Sequence, residues 1–296
     1  MTIALSYDTM TGEENVMKKS QRIGSPTLIT CVLVLSVVAT ALPAQAQSTG
    51  SPLFDKFNLR ADASWLRLNS VIRLDSETLG KGTTLDFESD LDLGKNQSIP
   101  SLAFEWQIGR KHRLAARWQD MSRDSTAQAL TEIQWGDETI PVDASVELAF
   151  TLTQIAIDYT YYPWVEEKWA AGFGLGLRVM DVTSQLAWQG DNTGTGGRQA
   201  ADVTGPLPYI NFQYRRMFSE NWRFNTHLGW LDVTIGDISG GQWLASASTE
   251  YLLGETWGFG AALNYSTIDV DWTGDEFFGH MDFDIDDFSV FVRVRF

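Results

Sequence analysis

The sequence predicts an all-β protein, a transmembrane antiparallel up-and-down β-barrel of about ten strands, with eight or twelve strands as alternatives. From Phe57 onward, runs of alternating apolar and polar residues are separated by connections that are in turn longer and very short. After the N-terminal region no apolar run is long enough for a spanning helix, and the mean hydropathy is slightly negative. A membrane protein with this profile crosses the bilayer with strands, of which only one face is apolar.

The last nine residues show the alternation most clearly. Arg293 and Arg295 share one face of this strand, and the other face is apolar. A strand of this kind fits a wall between lipid and a polar interior better than it fits a soluble sandwich, whose inner face is the apolar one. The apolar face consists of Phe288, Val290, Val292, Val294 and Phe296.

The N-terminal region has the features of a secretory signal peptide. Its apolar run, Leu28–Leu42, follows three basic residues and ends in Pro-Ala-Gln-Ala, which predicts cleavage after Ala46. Met17-Lys-Lys is also a typical signal start, so an alternative start at Met17 would leave residues 1–16 upstream. The predicted organisation is a signal peptide over 1–46, a short linker over 47–56 and a barrel over 57–296.

Charge and cysteine usage narrow the functional classes. The formal net charge is −16, which argues against nucleic acid as a partner, because phosphate binding needs a basic surface. The single cysteine, Cys31, lies in the signal peptide, so the mature chain is expected to have neither disulfides nor thiol chemistry. The sequence predicts no cofactor.

Ten strands account for the alternating runs, and an even number places both termini on the periplasmic side. The connection 75–97 is the least certain part, because Thr84–Ser89 could extend a strand. The predicted strands are Phe57–Leu74, Ser98–Gly109, Arg113–Trp135, Thr139–Tyr162, Trp169–Trp188, Val203–Met217, Trp222–Ile235, Gln242–Leu253, Trp257–Trp272 and a last strand that ends at Phe296.

The third and fourth strands form an unusually long hairpin. Spanning a bilayer takes about 9–11 residues, so the hairpin is expected to stand well above the membrane. Within the fourth strand the apolar positions change parity, which predicts a β-bulge near Thr151–Gln154. The two apolar sets are Val146, Leu148, Phe150 and Leu152, and then Ile155, Ile157, Tyr159 and Tyr161.

Aromatic residues mark both ends of the predicted strands, as expected for girdles at two membrane interfaces. Beside the short turns and the C-terminus lie Trp106, Tyr161, Trp164, Trp169, Tyr214, Trp222, Tyr251, Trp257 and Phe296. Toward the longer loops lie Trp135, Trp188, Trp230, Trp243 and Trp272.

The C-terminal strand ending in Phe296 resembles the assembly signal of Gram-negative outer-membrane β-barrel proteins. Together with the strand pattern and the girdles, it makes the whole mature chain similar to the small outer-membrane β-barrel domain families. The resemblance implies a monomer exported to the cell outer membrane, surrounded by lipid and lipopolysaccharide. It also implies periplasmic chaperones and the barrel-assembly machinery as partners during assembly.

A ten-stranded barrel is narrow, and charges in its interior must pair to offset desolvation. One hypothesis is a packed salt-bridge network that closes the lumen, and the other is a narrow water-filled path that favours small anions. Glycines at 172, 174, 176, 258 and 260 would leave room for long arginines from facing strands. The predicted inward charges are Arg60, Asp62, Glu105, Arg117, Asp158, Arg178, Arg215, Arg223, His227, Glu250, Arg293 and Arg295.

A second group of candidates lies toward the outer rim. Omptin proteases and lipid A deacylases resemble this chain in architecture, and an omptin-like site needs paired acids with an Asp–His couple. The nearest candidates for such a site are Asp269, Asp271, Asp275 and His280. The alternating acids could instead hold Ca²⁺ or Mg²⁺, since hard cations take carboxylate oxygens, or form a solvated extension of the strands. The weak metal candidates are Asp269, Asp271, Asp282 and Asp284.

The functional expectation is an integral outer-membrane barrel with a structural or surface-interaction role and a largely plugged polar lumen. The chain is not expected to be an enzyme. The alternatives are a narrow channel for small solutes and an outer-rim hydrolase that acts on protein or on lipid A.

Overall fold

The computed structural model describes residues 53–190, 196–236, 238–273 and 277–296. The predicted signal peptide lies outside this part of the chain. One short helix, Phe87–Asp90, follows the second strand. The strands are β1 (Phe57–Ser76), β2 (Leu85–Asp86), β3 (Asn96–Ile108), β4 (His112–Gln128), β5 (Ile133–Trp135), β6 (Glu138–Ile140), β7 (Ser145–Val165), β8 (Trp169–Gln189), β9 (Gly196–Met217), β10 (Trp222–Ile235), β11 (Ile238–Leu253), β12 (Trp257–Thr273) and β13 (Phe277–Arg295).

Ten of these strands form a closed antiparallel barrel, in the order β13-β12-β11-β10-β9-β8-β7-β4-β3-β1. The barrel closes because β13 also pairs with β1, from Asn58 opposite Arg295 to Ser76 opposite Phe277. The up-and-down barrel of about ten strands is therefore confirmed. Among the described residues, no helix is long and apolar enough to cross a membrane.

The half of the barrel nearest the chain termini has an apolar outer face, and we call it the lower tier. Its outward side chains include Leu175 and Leu263, which are 65% and 64% exposed. Its inward side chains include the fully buried Arg223 and Arg293. This sidedness suits a wall that faces lipid. The lower tier comprises residues 57–65, 100–108, 112–118, 155–165, 169–179, 208–217, 222–230, 243–253, 257–265 and 288–296.

The other half of the barrel, the upper tier, has the opposite sidedness. Its outer face carries exposed acids such as Asp124, Asp181 and Asp284, whereas Phe150 and Phe283 pack inside, 5.8 Å apart between ring centroids. The apolar interior takes buried side chains from seven of the ten barrel strands, and Leu207 of β9 packs against it. The upper tier comprises residues 66–76, 96–99, 119–128, 145–154, 180–189, 196–207, 231–235, 238–242, 266–273 and 277–287.

The predicted bulge near Thr151–Gln154 is wrong. Strand β7 pairs with β4 without a register shift, from Ser145 opposite Gln128 to Tyr161 opposite His112. The apolar positions change parity because the apolar side chains lie on the outer face in the lower tier and on the inner face in the upper tier. The backbone continues its regular alternation.

The predicted extent of the long hairpin is wrong, because its two strands do not continue as one ladder to Trp135. The β4–β7 ladder ends at Gln128, and the tip folds into the separate β5–β6 hairpin. In this hairpin Ile133, Trp135 and Ile140 are buried in the upper-tier interior. The tip folds inward because its apolar side chains find a core there.

The connection 77–95 also enters the upper tier. Its Phe87 is fully buried and lies 6.1 Å from both Trp135 and Phe150 between ring centroids. Glu88 anchors this segment, accepting hydrogen bonds from Arg123 at 2.7 Å and from the Ser70 hydroxyl at 2.6 Å. Together with the β5–β6 hairpin, this connection fills the upper tier; we call the two segments the roof.

The upper tier also changes the outer girdle. Trp135, Trp188 and Trp272 are buried in the apolar interior, so their assignment to an interface was wrong. Trp230 and Trp243 remain exposed, as predicted. The aromatic residues that complete the upper margin of the apolar outer face are Trp65, Trp118, Tyr265 and Phe288.

Strands β9 and β10 are paired along only part of their length. Their ladder ends at Ile210 opposite Trp230, although β9 continues upward along β8 and β10 along β11. Pro206 and Pro208 occupy β9 just above this point, and proline, which lacks an N–H, is confined to sheet edges. We call this gap the β9–β10 seam. The Gln242 amide bridges it, donating to the carbonyls of Leu207 at 3.1 Å and Pro208 at 3.3 Å.

Candidate functional site

Inward charges of the lower tier form a layer across the barrel near the chain termini, which we call the floor. At its centre, one Nη of Arg223 lies 2.8 Å from Asp55 and 3.0 Å from Glu250. Arg295 donates to the other oxygen of Asp55 at 2.8 Å, and Arg293 lies 3.2 Å from Glu250. The floor consists of Asp55, Arg60, Asp62, Glu105, Arg113, Arg117, Arg215, Arg223, Glu250, Arg293 and Arg295.

Two further carboxylates complete the floor. Glu105 pairs with Arg113 and, at 2.9 Å, with Arg215. Asp62 accepts hydrogen bonds from Arg60 and, at 3.0 Å, from Arg117. Each carboxylate thus contacts at least two guanidinium groups, which is the arrangement that offsets the desolvation of buried acids.

The predicted linker takes part in the floor. Residues Leu53 and Asp55 are buried inside the end of the barrel, and the Phe54 ring packs edge-on against Tyr162 at 5.0 Å between centroids. Asp55 and Arg113 are floor residues that the sequence prediction missed. Arg113 has the same strand parity as the predicted Arg117, so extending the alternation by one step would have found it. Asp55 precedes the first strand, where no alternation exists to place it.

The inward glycines were expected to leave room for arginines. Instead, they leave room for aromatic rings and for a carboxylate. A Cβ at Gly176 would collide with the Tyr209 ring, and one at Gly260 would collide with Phe291. At Gly258 the space is taken by the Glu250 side chain. The Phe291 ring in turn supports the Arg60 guanidinium, 3.6 Å above its centroid.

A cavity of about 220 Å³ lies where the two tiers meet. The three remaining predicted residues, Asp158, Arg178 and His227, line it. Asp158 accepts from Tyr209 at 2.9 Å and lies 3.6 Å from Nε2 of His227. Arg178 reaches across the barrel and donates to the Ser266 hydroxyl at 3.1 Å. All twelve predicted inward charges therefore face the interior, in the floor or around this cavity.

The rim candidates lie on the outer face of the upper tier, on the neighbouring strands β12 and β13. His280 Nδ1 is 3.0 Å from Asp271 and 3.8 Å from Asp269, and one ligand atom of each residue lies within 4.8 Å of the others. Asp282 and Asp284 follow on the same face of β13; partial burial, Asp284 and Asp269 raise the pKa of Asp282. Asp275, also proposed for a catalytic set, lies outside the described residues.

The C-terminal Phe296 lies at the terminal rim. Its backbone N–H donates to the Phe57 carbonyl at 3.0 Å, and the two rings stack with centroids 6.2 Å apart. The residue thus caps the junction between the first and last strands. Its role as an assembly signal stays a prediction.

Comparisons with known proteins bear on the fold. No protein-family model and no curated protein matches the chain. Among solved structures, the outer-membrane protease OmpT from Escherichia coli is similar with a TM-score of 0.54 and 10% sequence identity, covering 83% of this chain and 100% of that chain. The translocator domain of the autotransporter NalP from Neisseria meningitidis matches at 13% identity, covering 91% of this chain and 95% of that domain, with a TM-score of 0.43.

The outer membrane protein OprG from Pseudomonas aeruginosa matches at 11% identity, covering 82% of this chain and 96% of that protein, with a TM-score of 0.32. The chain therefore has the fold of Gram-negative outer-membrane β-barrel proteins. At these identities the similarity concerns the fold alone.

Proposed function

We propose that this chain is an integral outer-membrane barrel with a closed lumen and a structural or surface-interaction role. In this proposal the signal peptide directs export, lipid and lipopolysaccharide surround a monomer, and chaperones and the assembly machinery recognise the C-terminal strand. The upper tier and the roof are the surface offered to the outside. The proposal assigns no enzymatic activity.

The observation that carries the proposal is the closure of the barrel at two levels. The floor fills the lower tier with paired charges, and Arg223 at its centre is fully buried. The roof fills the upper tier with apolar side chains, and its Phe87 and Trp135 are buried beside Phe150 of β7. An ion would have to cross one charged layer and one apolar layer, which is a poor path for conduction.

Single-channel recording of the refolded mature protein in a planar bilayer tests the proposal. We expect no discrete conductance steps from protein whose folding is confirmed by circular dichroism. The matched variant Phe87→Gly removes the central roof side chain but leaves the floor intact, and should also be silent. Discrete steps from the folded wild type would support the alternative, a narrow channel, and an anion preference would implicate the inward arginines.

A hydrolase is the third candidate. The observation in its favour is the cluster of Asp269, Asp271 and His280, on a fold similar to that of a protease. Against it, the three side chains project from the outer wall of two adjacent strands, and the described residues form no cleft around them. Cleavage of a fluorogenic peptide library that is lost in His280→Ala and kept in His112→Ala would favour this candidate over the closed barrel.

A further inference from the structure

We propose that the cavity where the tiers meet binds a short amphipathic carboxylate, whose head group lies between Arg117 and Arg178. This inference goes beyond the closed-barrel role, since a ligand can occupy the cavity without any ion crossing the floor or the roof. It rests on the arrangement of two arginines, on the charge balance of the cavity and on its apolar upper wall.

The two arginines flank a gap. In the ladders, Arg117 of β4 lies opposite Ala156 of β7, which in turn lies opposite Arg178 of β8. The three side chains face the interior from adjacent strands, so the two arginine Cα atoms are about 10 Å apart. Alanine between them leaves space into which both guanidinium groups can donate. A planar carboxylate is the natural partner of such a pair.

The charge balance favours an anion over a cation. Six arginines line the cavity, and five of them, all except Arg178, have a carboxylate within 4.0 Å. Within the described residues Arg178 has none, and its Nε makes no hydrogen bond there. Asp158 Oδ1 accepts from Tyr209 and Asn211, and Asp287 Oδ2 accepts from Asn264 at 2.8 Å, whereas Asp287 Oδ1 makes no hydrogen bond within the described residues. The six arginines nevertheless outnumber the three acids that line the cavity, which are Glu105, Asp158 and Asp287.

The upper wall of the cavity is apolar and sets the size of the ligand. Its side chains are Leu66, Leu68, Ile99, Met121, Leu152 and Ile285. The cavity volume of about 220 Å³ is below the roughly 300–1,000 Å³ of sites for drug-sized ligands, so the ligand is small, and hexanoate is a suitable probe. With the head at the arginines, the tail points toward the upper tier and buries its apolar surface there.

The β9–β10 seam offers a lateral route to the cavity. Tyr209 and His227 line the cavity from the two strands that separate at the seam. Above them the wall is held by the Gln242 side chain in place of a backbone ladder. Trp230 and Trp243, exposed beside the seam, place this route at the upper margin of the lipid-facing surface.

Binding of ¹³C-carboxylate hexanoate to the mature barrel in lipid nanodiscs, followed by NMR titration, tests the proposal. We expect saturable binding to the wild type and none to empty nanodiscs. Arg178→Met should weaken binding at least about tenfold, since it removes a charge-assisted contact. The matched control Arg198→Met, an exposed arginine on the neighbouring strand, should bind as the wild type does.

A second variant keeps the test decisive if Arg178→Met does not fold. Ala156→Leu fills the gap between the arginines without changing charge, and should abolish saturable binding. Hexanol and hexylammonium, which lack the negative head, should not saturate the site. Dodecanoate should not bind, and tighter binding of dodecanoate than of hexanoate would overturn the assignment of a short ligand in favour of a lipid-derived fatty acid. Hexanoate binding that survives both Arg178→Met and Ala156→Leu would overturn the site itself.

Discussion

The lower and upper tiers are built from the same ten strands, yet their faces are reversed. In β1, Arg60 and Asp62 face inward in the lower tier and Leu66 and Leu68 face inward in the upper tier, with unbroken alternation between them. On β13 the inward series changes in the same way, from Arg293 to Phe283. The strand geometry is therefore constant, and the surrounding medium decides which face is apolar.

The comparison shows how a barrel can hold two different cores. Where lipid covers the outside, the apolar side chains belong outward and the interior is held by paired charges. Where water covers the outside, the interior can be apolar, as in a soluble barrel. The floor and the roof should consequently respond differently to substitution.

The largest effect is expected in the floor. Arg223→Met leaves Asp55 and Glu250 with less compensation in a buried place, and should lower the free energy of unfolding by about 3–5 kcal/mol. Reversible urea unfolding in lipid vesicles measures this change. The matched control Arg216→Met, an exposed arginine of the same tier, should be nearly neutral. If Arg223→Met combined with Glu250→Leu is no more stable than Arg223→Met alone, unpaired charge is not the cause.

The next effect is expected in the roof. Phe87→Ala removes a fully buried ring and should lower stability by about 3 kcal/mol through the cavity it leaves. Because the floor is untouched, the loss of stability should appear as local opening of the roof and not as unfolding of the whole barrel. Trp135 should become accessible to a fluorescence quencher before the barrel unfolds. Leu130→Ala, at an 82% exposed position just before the β5–β6 hairpin, is the control and should leave quenching unchanged.

A smaller effect should locate the boundary between the tiers. Leu263→Arg places a charge on the lipid-facing surface of β12 and should lower stability by about 2 kcal/mol. Thr267→Arg, four residues further on the same face, lies in the upper tier opposite Asp284, and should change stability by less than about 0.5 kcal/mol. Equal losses in vesicle unfolding would mean that lipid covers both tiers.

The smallest effect concerns the outer face of the upper tier. The pKa of Asp282 is raised by burial, Asp284 and Asp269, with His280 opposing. A raised pKa means that the folded state favours the protonated form, so stability is lost as pH rises through the folded-state value. Asp282→Asn should therefore stabilise the barrel by a few tenths of a kcal/mol at pH 7, with no gain below about pH 3. If Asp282→Asn stabilised the barrel more in acid than at pH 7, the pKa of Asp282 would not be raised in the folded state.

The sequence was sufficient for the barrel, the strand number and the inward side of the lower tier. In that tier the side chains of each strand point alternately to lipid and to a polar interior, so the polar positions in the sequence are the inward positions in the structure. Arg60, Arg178 and Arg293 could be placed in this way. The bulge was wrong because it assumed that the apolar face always points outward. The continuous hairpin was wrong because it treated the apolar tip as an extension of the two strands. Phe150 carried the needed signal, since it breaks parity without any turn residue nearby.

The partners of the inward charges could not be predicted. Asp55 neutralises Arg223 and Arg295 from a segment that lies outside the strand pattern. The cavity depends on Ala156 lying between two arginines, which only the ladder registers reveal. Contacts of this kind join residues far apart in the chain, and alternation within one strand contains no information about them.

The floor also has a consequence for the order of folding. Asp55 and Arg295 are 240 residues apart in sequence, and Arg293 and Arg295 belong to the last strand. Until that strand pairs with the first, Asp55 lacks its contact with Arg295 and Glu250 lacks its contact with Arg293. The floor is therefore completed only when β13 pairs with β1, so the last part of the neutralisation of the interior is coupled to closure of the ring.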